Sequence, residues 1–535
     1  MKNISIKNIL LAGLVLVVSS CSKKLDLFPQ NDKTSEDVYS SAEGYKQVLA
    51  KVYGGLATTG NSGPAGASDI QGLDEGSQSP FLRGFFNCQE LPTEEAVVAW
   101  NDQTIKDFHN MSWSSADPFL KGMYARPIYN IMVANEYLRE STDEKLAARK
   151  ITGDDAAEIK STRAEARFLR AFNYWVMMDL FGRSTFITEA NGVGTTLPAE
   201  KSRGELFIYL ENELKALDTL LKPARTIEYG RVDRAAAWAL MARMYLNAGV
   251  YTGTARWNDA ITYSQKVITA GYTLHSNYGE LFMADNHKRT NEIIYAITCD
   301  GLKARSFGNT TFFIHAAAGG DYADFGTSEG WFGYRATKGL ADKFTDLTGA
   351  TDKRAMFTTS LYGTSASQIV INDISDFSNG LHVNKWRNIR SDGQAVSDAT
   401  KYWSDIDFPV FRLAEMHLIY AEAVLRGGTG GDATTALGYI NQLRQRAYNG
   451  STNGNITAGS LNLDFILDER ARELYWEGHR RTDLIRYGRL TTGTYLWPWK
   501  GGVASGTGVD SKYNLFPVPA SNRTSNPNLS QNPGY

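Results

Sequence analysis

Trp100 is followed at once by Asn101 and Asp102, so one large flat ring and two planar polar groups sit in three consecutive residues. A second stretch, 307–335, interleaves Phe312, Phe313, Tyr322, Phe325, Trp331, Phe332 and Tyr334 with glycines and ends on Arg335. No apolar period surrounds these rings, which leaves them poorly buried. The face of an aromatic ring is electrostatically negative and attracts weakly positive C–H bonds, while carboxylate, amide and guanidinium groups match hydroxyls. A ligand that alternates hydroxyls with C–H faces, as an oligosaccharide does, needs both. Trp100, Asn101, Asp102, Phe313, Tyr322, Trp331, Tyr334 and Arg335 are therefore candidate ligand-binding residues, and Asp69 and Arg83 join them as hydroxyl partners by loop position. The competing reading is burial: Trp100 follows Ala96-Val97-Val98-Ala99, and phenylalanine usually packs inward.

Signals for catalysis are thin. The seven histidines show no His-x-x-x-His or Cys-His spacing, so no metal, cofactor or catalytic residue is expected. Glu94-Glu95 and Asp74-Glu75 resemble a glycosidase pair in composition only, because adjacent residues rarely place two carboxyls across a scissile bond. Glu469, Glu473 and Glu477 recur every four residues with Arg470, Arg472, Arg480 and Arg481 close by, and Arg163, Arg167 and Arg170 share one helical face. Paired charges on buried helix faces explain both patterns without chemistry. A formal net charge of −2 over 535 residues offers nucleic acid no broad attraction.

The elements that must position these residues begin after an export signal. Residues 9–18 form a short uncharged apolar run with Lys2 and Lys7 before it and Ser19-Ser20-Cys21 after it, the pattern of a bacterial lipoprotein signal over 1–20. Acyl chains on Cys21, worth about 0.8 kcal/mol per buried methylene, would anchor the protein to a membrane. No later apolar run reaches the roughly 18 residues of a spanning helix. Residues 21–34 are polar, carry Pro29 and suit a tether.

A single domain is expected over 35–535, mainly α. Ser35-Glu36-Asp37-Val38 starts a helix whose apolar spacing runs through Tyr53, and further helical patterns cover 163–181, 203–221, 234–248, 257–270, 411–426, 432–448 and 464–487. Short breaks at Ala248-Gly249 and Gly427-Gly428 fold successive helices into hairpins, the unit of tetratricopeptide-like solenoids. This scaffold takes up about 35–57, 120–270 and 405–535. Loop-rich excursions fill 58–120 and 271–404, the longer one with short strands near 292–298 and 367–371. A Cys88–Cys299 bridge is possible, but spacing alone does not establish it.

Several motifs together resemble the SusD-like (RagB/SusD) family of outer-membrane glycan-binding lipoproteins. They are Cys21 with Leu25-Asp26-Leu27-Phe28-Pro29, Arg163-Ala164-Glu165-Ala166-Arg167-Phe168 leading to Asp179-Leu180-Phe181-Gly182, and Phe411-Arg412-Leu413-Ala414-Glu415 with Tyr420-Ala421-Glu422-Ala423. Ile440-Asn441 with Arg444 and Arg446, the 469–486 segment, and the endings Phe516-Pro517-Val518-Pro519 and Gln531-Asn532-Pro533-Gly534-Tyr535 complete the match. Residues 270–405 match poorly. The resemblance implies a non-catalytic, lipid-anchored outer-membrane protein whose Trp100 stretch supplies a stacking tryptophan and a hydrogen-bonding neighbour. It also implies a SusC-like TonB-dependent transporter as partner. A peptide-binding lipoprotein of the same fold and a surface glycoside hydrolase are the alternatives.

Overall fold

The computed structural model describes residues 34–66, 68–192, 194, 197–320, 322–358 and 369–535. The expected signal over 1–20, the acylated Cys21 and the tether through residue 33 lie outside them, as do residues 367 and 368 of the strand expected over 367–371. Among the described residues no helix is long and apolar enough to cross a membrane.

The expected helical scaffold is present. Its centre is the 28-residue helix Gly153–Leu180, whose apolar stripes, Phe168/Phe172/Trp175 and Leu169/Val176/Leu180, are both buried. Two stripes need two neighbours, and Pro118–Glu140 and Arg203–Leu220 pack against it. Arg234–Leu246 then pairs with Trp257–Ile268, and Leu413–Leu425 with Ala433–Ala447. Ala235, Ala236, Ala237, Ala239 and Ala242 are fully buried, which lets helix axes approach closely.

Four elements depart from the sequence expectation, each for a local reason. The first helix is two: Ser35–Val38 is capped by Thr34 rather than Ser35, and Ser41 starts Ala42–Gly54 anew. The helix expected from 411 starts at Leu413, and Phe411 and Arg412 belong to a strand. Phe408–Arg412 pairs antiparallel with Ile293–Ile297, from Ile293↔Arg412 to Ile297↔Phe408, and both strands are wholly buried. The helical pattern over 464–487 breaks between Leu463–Leu474 and Arg480–Arg486, where Trp476 and Gly478 take φ of 62° and 83°. Gly478 is required there twice over, since a Cβ would also strike the Phe85 ring. Finally, Phe81–Glu90 is a helix inside a tract expected to be loop, with all ten residues buried. Its polar members mask its apolar face, and several bond at one atom each: Asn87 accepts from the Tyr334 hydroxyl at 2.7 Å, Gln89 donates to Asp179 at 2.9 Å, and Glu90 accepts from the Gly478 N–H at 2.6 Å.

The carboxylate stripe is an ion-paired core. Glu469 meets Arg354 at 2.7 Å and Arg444 at 2.9 Å, Glu473 meets Arg412 at 2.7 Å, and Glu477 meets Lys385 at 2.6 Å and Arg412 at 2.7 Å. Two of these cations, Arg354 and Lys385, come from the long excursion. Glu94 pairs with Arg480. Glu90 and Glu95, buried beside each other, are pushed up: burial takes Glu90 to about 7, and burial plus the Glu90 charge holds Glu95 well above the carboxylate range. Cys88 and Cys299 are both free and buried, so the possible bridge is not formed.

Candidate functional site

A two-residue ladder unites the two aromatic stretches. Val97–Val98 pairs antiparallel with Tyr334–Arg335, and the Ala99 N–H extends the contact to the Gly333 carbonyl at 2.9 Å. Trp100 then lies along the 331–333 backbone, its indole N–H donating to the Phe332 carbonyl at 2.8 Å. Gly333 makes this approach possible, because a Cβ there would overlap the indole. Residues 231 positions apart in sequence, Trp100 and Trp331, are thereby brought to one cleft.

The cleft encloses about 460 Å³ and is walled by the rings of Trp100, Phe307, Trp331 and Tyr402, with Asp74, Ser77, Arg83 and Asp102 supplying polar groups. Trp331 is held from behind by His315: its N–H donates to the His315 carbonyl at 2.7 Å, and the two rings stack with centroids 4.9 Å apart. The same histidine lies 4.7 Å from the Tyr402 ring and bonds the Tyr402 carbonyl through Nε2 at 2.8 Å. Burial pushes the His315 imidazole down from its ordinary value. The Arg83 guanidinium lies 4.8 Å over Phe312 and 5.6 Å over Trp100 and donates to the Gly76 carbonyl at 3.0 Å. Its buried Nε has no partner among the described residues. Burial acts to raise the Asp74 carboxyl, but the Ser77 hydroxyl and the N–H groups of Ser77 and Gly76, at 2.7, 2.7 and 3.0 Å, outweigh it and hold Asp74 low. The result is a rim of charged, planar hydrogen-bonding groups around four rings.

Of the candidates read from sequence, Trp100, Asp102, Arg83 and Trp331 meet at this cleft. Asn101 is exposed beside it, its side-chain oxygen accepting from Lys106 at 2.6 Å. The other five serve the framework. Tyr334 is fully buried beneath Trp100, ring to ring at 5.0 Å. Arg335, also fully buried, ties down the next loop through the carbonyls of Ile374 at 2.8 Å, Asn379 at 2.7 Å and Asp376. Phe313 sits on the helix Thr310–Ala317 and packs against Phe86, Trp386 and Phe408 at 5.1–5.6 Å. Tyr322 is on the short helix Tyr322–Phe325, packed against the core, and does not line the cleft. Asp69 is paired with Lys51 at 2.7 Å and Arg126 at 3.1 Å.

Sequence reasoning missed Phe307, Tyr402, Ser77 and the role of Asp74. Tyr402-Trp403 in a Ser- and Asp-rich loop was a usable signal, since paired rings with no apolar period around them are not core. Gly326-Thr327-Ser328-Glu329-Gly330 has the spacing of a serine-nucleophile turn, but it follows a one-turn helix rather than a strand. Among the described residues Ser328 has no hydrogen-bonded base, and no group of His, Cys, Asp or Glu is arranged to hold a metal ion.

The model of the SusD family matches residues 357–535. "Starch-binding protein SusD" of Bacteroides thetaiotaomicron is 38% identical over 582 aligned residues, which cover 100% of both chains. "SusD-like protein P2" of Formosa agariphila is 26% identical over 74% of this chain and 78% of its own. Among solved structures, surface glycan-binding protein A of Bacteroides thetaiotaomicron in complex with laminarihexaose aligns with a TM-score of 0.67 at 17% identity, covering 92% of this chain and 99% of that one. A SusD homolog from the same organism reaches 0.71 at 18% identity, over 94% and 99%. At such identities the structures speak to the fold, which is the same mainly helical one. With that fold and a full-length relative sharing more than a third of its residues, this chain belongs to the SusD family.

Proposed function

We propose that this protein binds an oligosaccharide or polysaccharide in the aromatic cleft, without turning it over, as a lipid-anchored protein of the outer membrane that passes the ligand to a SusC-like TonB-dependent transporter. The observation that carries the binding reading is the convergence of four rings, Trp100, Phe307, Trp331 and Tyr402, with Arg83, Asp74 and Asp102 at one cleft. Rings take C–H faces, and the charged groups take hydroxyls. No neighbouring rings lie parallel: Phe307 is inclined 45° to Trp331 and 88° to Tyr402, so a ligand touching successive rings has to turn between them. The 38% identical relative is named as starch-binding, which makes α-glucans the first ligands to test.

Isothermal titration of the purified protein with maltoheptaose tests the binding, and a reducing-sugar assay over the same samples tests for turnover. Heat of binding with no sugar release is the expected outcome. Release of reducing ends would favour a hydrolase. Binding of a peptide library with no response to any polysaccharide would favour the peptide-binding alternative.

Delivery and anchoring rest on the resemblance and on the signal read in the sequence. Cys21→Ala should move the protein from the membrane to the soluble fraction. A tagged copy drawn from gently solubilised membranes should bring a large barrel protein in near-equal amount, and deletion of that barrel should abolish uptake while sparing surface binding.

A further inference from the structure

We infer that Trp403, with Arg305, forms an additional sugar subsite beyond Phe307, so that the protein selects for ligand length. The inference rests on the proposed glycan-binding role of the cleft. Trp403 does not line the cleft, but its ring lies 4.9 Å from Phe307 and 4.8 Å from Tyr402, two rings that do. It therefore continues the aromatic wall outward.

Phe307, Tyr402 and Trp403 stand apart from the hydrophobic core and are each only partly buried. Rings that do not contribute to the core and are still held in place call for another use. Trp403 is held firmly through its backbone. The Asp398 carboxylate accepts the N–H groups of Thr400, Tyr402 and Trp403 at 3.1, 3.0 and 2.9 Å, and the Trp403 carbonyl accepts from Asn388 at 3.2 Å. The indole N–H is neither buried nor bonded among the described residues. A fixed backbone with a free ring edge is a pre-organised platform.

Arg305 completes it. Its guanidinium lies 6.0 Å from the Trp403 ring centroid, and Nε donates to the Gly301 carbonyl at 2.9 Å. Its terminal NH2 groups have no partner among the described residues. Gly301 is itself fixed by donating to Asp405 at 2.8 Å, and Asp405 also receives the Ser397 N–H at 2.6 Å. Two loops more than ninety residues apart are thus locked edge to edge, presenting one C–H-binding face and one fork of hydroxyl donors. That chemistry suits one more sugar residue of a chain already seated in the cleft.

The test is titration of the purified protein with maltotriose, maltopentaose and maltoheptaose. Wild-type affinity should rise with length; W403A should weaken maltoheptaose by about tenfold, one platform's contribution, and leave maltotriose within about twofold of wild type. W403F, which keeps a ring, should recover most of the loss, and melting curves of both variants should overlay the wild type. An unchanged length dependence in W403A overturns the subsite while leaving the cleft reading intact. Equal losses for all three sugars place Trp403 within the primary cleft and also overturn it. Failure of the wild type to bind any of them overturns the cleft reading and the subsite together.

Discussion

Trp100 and Trp331 face the same cleft but are held differently, so replacing each by alanine should have separable effects. Trp100→Ala removes the hydrogen bond to the Phe332 carbonyl, worth about 1 kcal/mol, and the edge contacts with Tyr334 and Phe312, about 0.5–1.5 kcal/mol each. With the space left behind, the total loss of stability is about 3–5 kcal/mol. Trp331→Ala gives up the stack on His315 and the tilted contact with Phe312, about 1–3 kcal/mol in all. Both should lose more than about 2 kcal/mol of ligand affinity, as central aromatic anchors do. Thermal unfolding followed by circular dichroism, beside titration with maltoheptaose, reads both quantities. Trp100→Phe should fall between, keeping ring packing but not the donor. If Trp331→Ala destabilises as much as Trp100→Ala, or if Trp100→Phe matches the wild type in stability, the pinning of Trp100 to the 331–333 backbone is not what shapes the cleft.

Three further outcomes are expected. Glu90 has its folded-state carboxyl raised from 4.5 to about 7 by burial. Glu95, buried against it, is raised as well, so the unfolded chain releases these protons first and stability should fall as pH rises from 4.5 towards 7; the double variant Glu90→Gln, Glu95→Gln should flatten that slope in denaturant titrations. Glu473→Gln leaves Arg412, Arg446 and Arg354 facing a neutral group in a dry core, and should cost about 3–5 kcal/mol in the same measurement. Arg335→Gln should free the 374–379 loop, seen as faster amide exchange there, while changing maltoheptaose affinity less than twofold, on the order of 0.4 kcal/mol.

The sequence made the scaffold legible because amphipathic spacing is local. Trp257–Ile268 and Ala433–Ala447 fall within a few residues of the ranges their apolar periods predict. It hid what depends on distant partners. Phe408–Arg412 is strand only because Ile293–Ile297 lies beside it, and no pattern within 408–412 announces that. In the aromatic tract, composition did not sort the rings that line the cleft from those that pack inward. Phe313, Tyr334 and Arg335 look as exposed as Trp331 in a glycine-rich sequence, yet the eight-residue helix Thr310–Ala317 and the ladder to Val97–Val98 turn them inward. Composition reports how many rings a loop carries. Only the pairing partner decides which way they face.

The paired strands Ile293–Ile297 and Phe408–Arg412 bring both ends of the long excursion to a single gateway. Everything between them, including Phe307, Trp331 and Tyr402, leaves and rejoins the scaffold there, so the segment has the shape of an exchangeable cassette. Two residues keep it from being freely exchangeable. Arg354 and Lys385 reach back to neutralise Glu469, Glu473 and Glu477 on the scaffold. A transplanted cassette without a cation at each place would leave these buried carboxylates to the scaffold arginines alone, each short of one partner. Redesigning this protein for another glycan therefore has two rules: rewrite the rings, and carry over the two cationic keys.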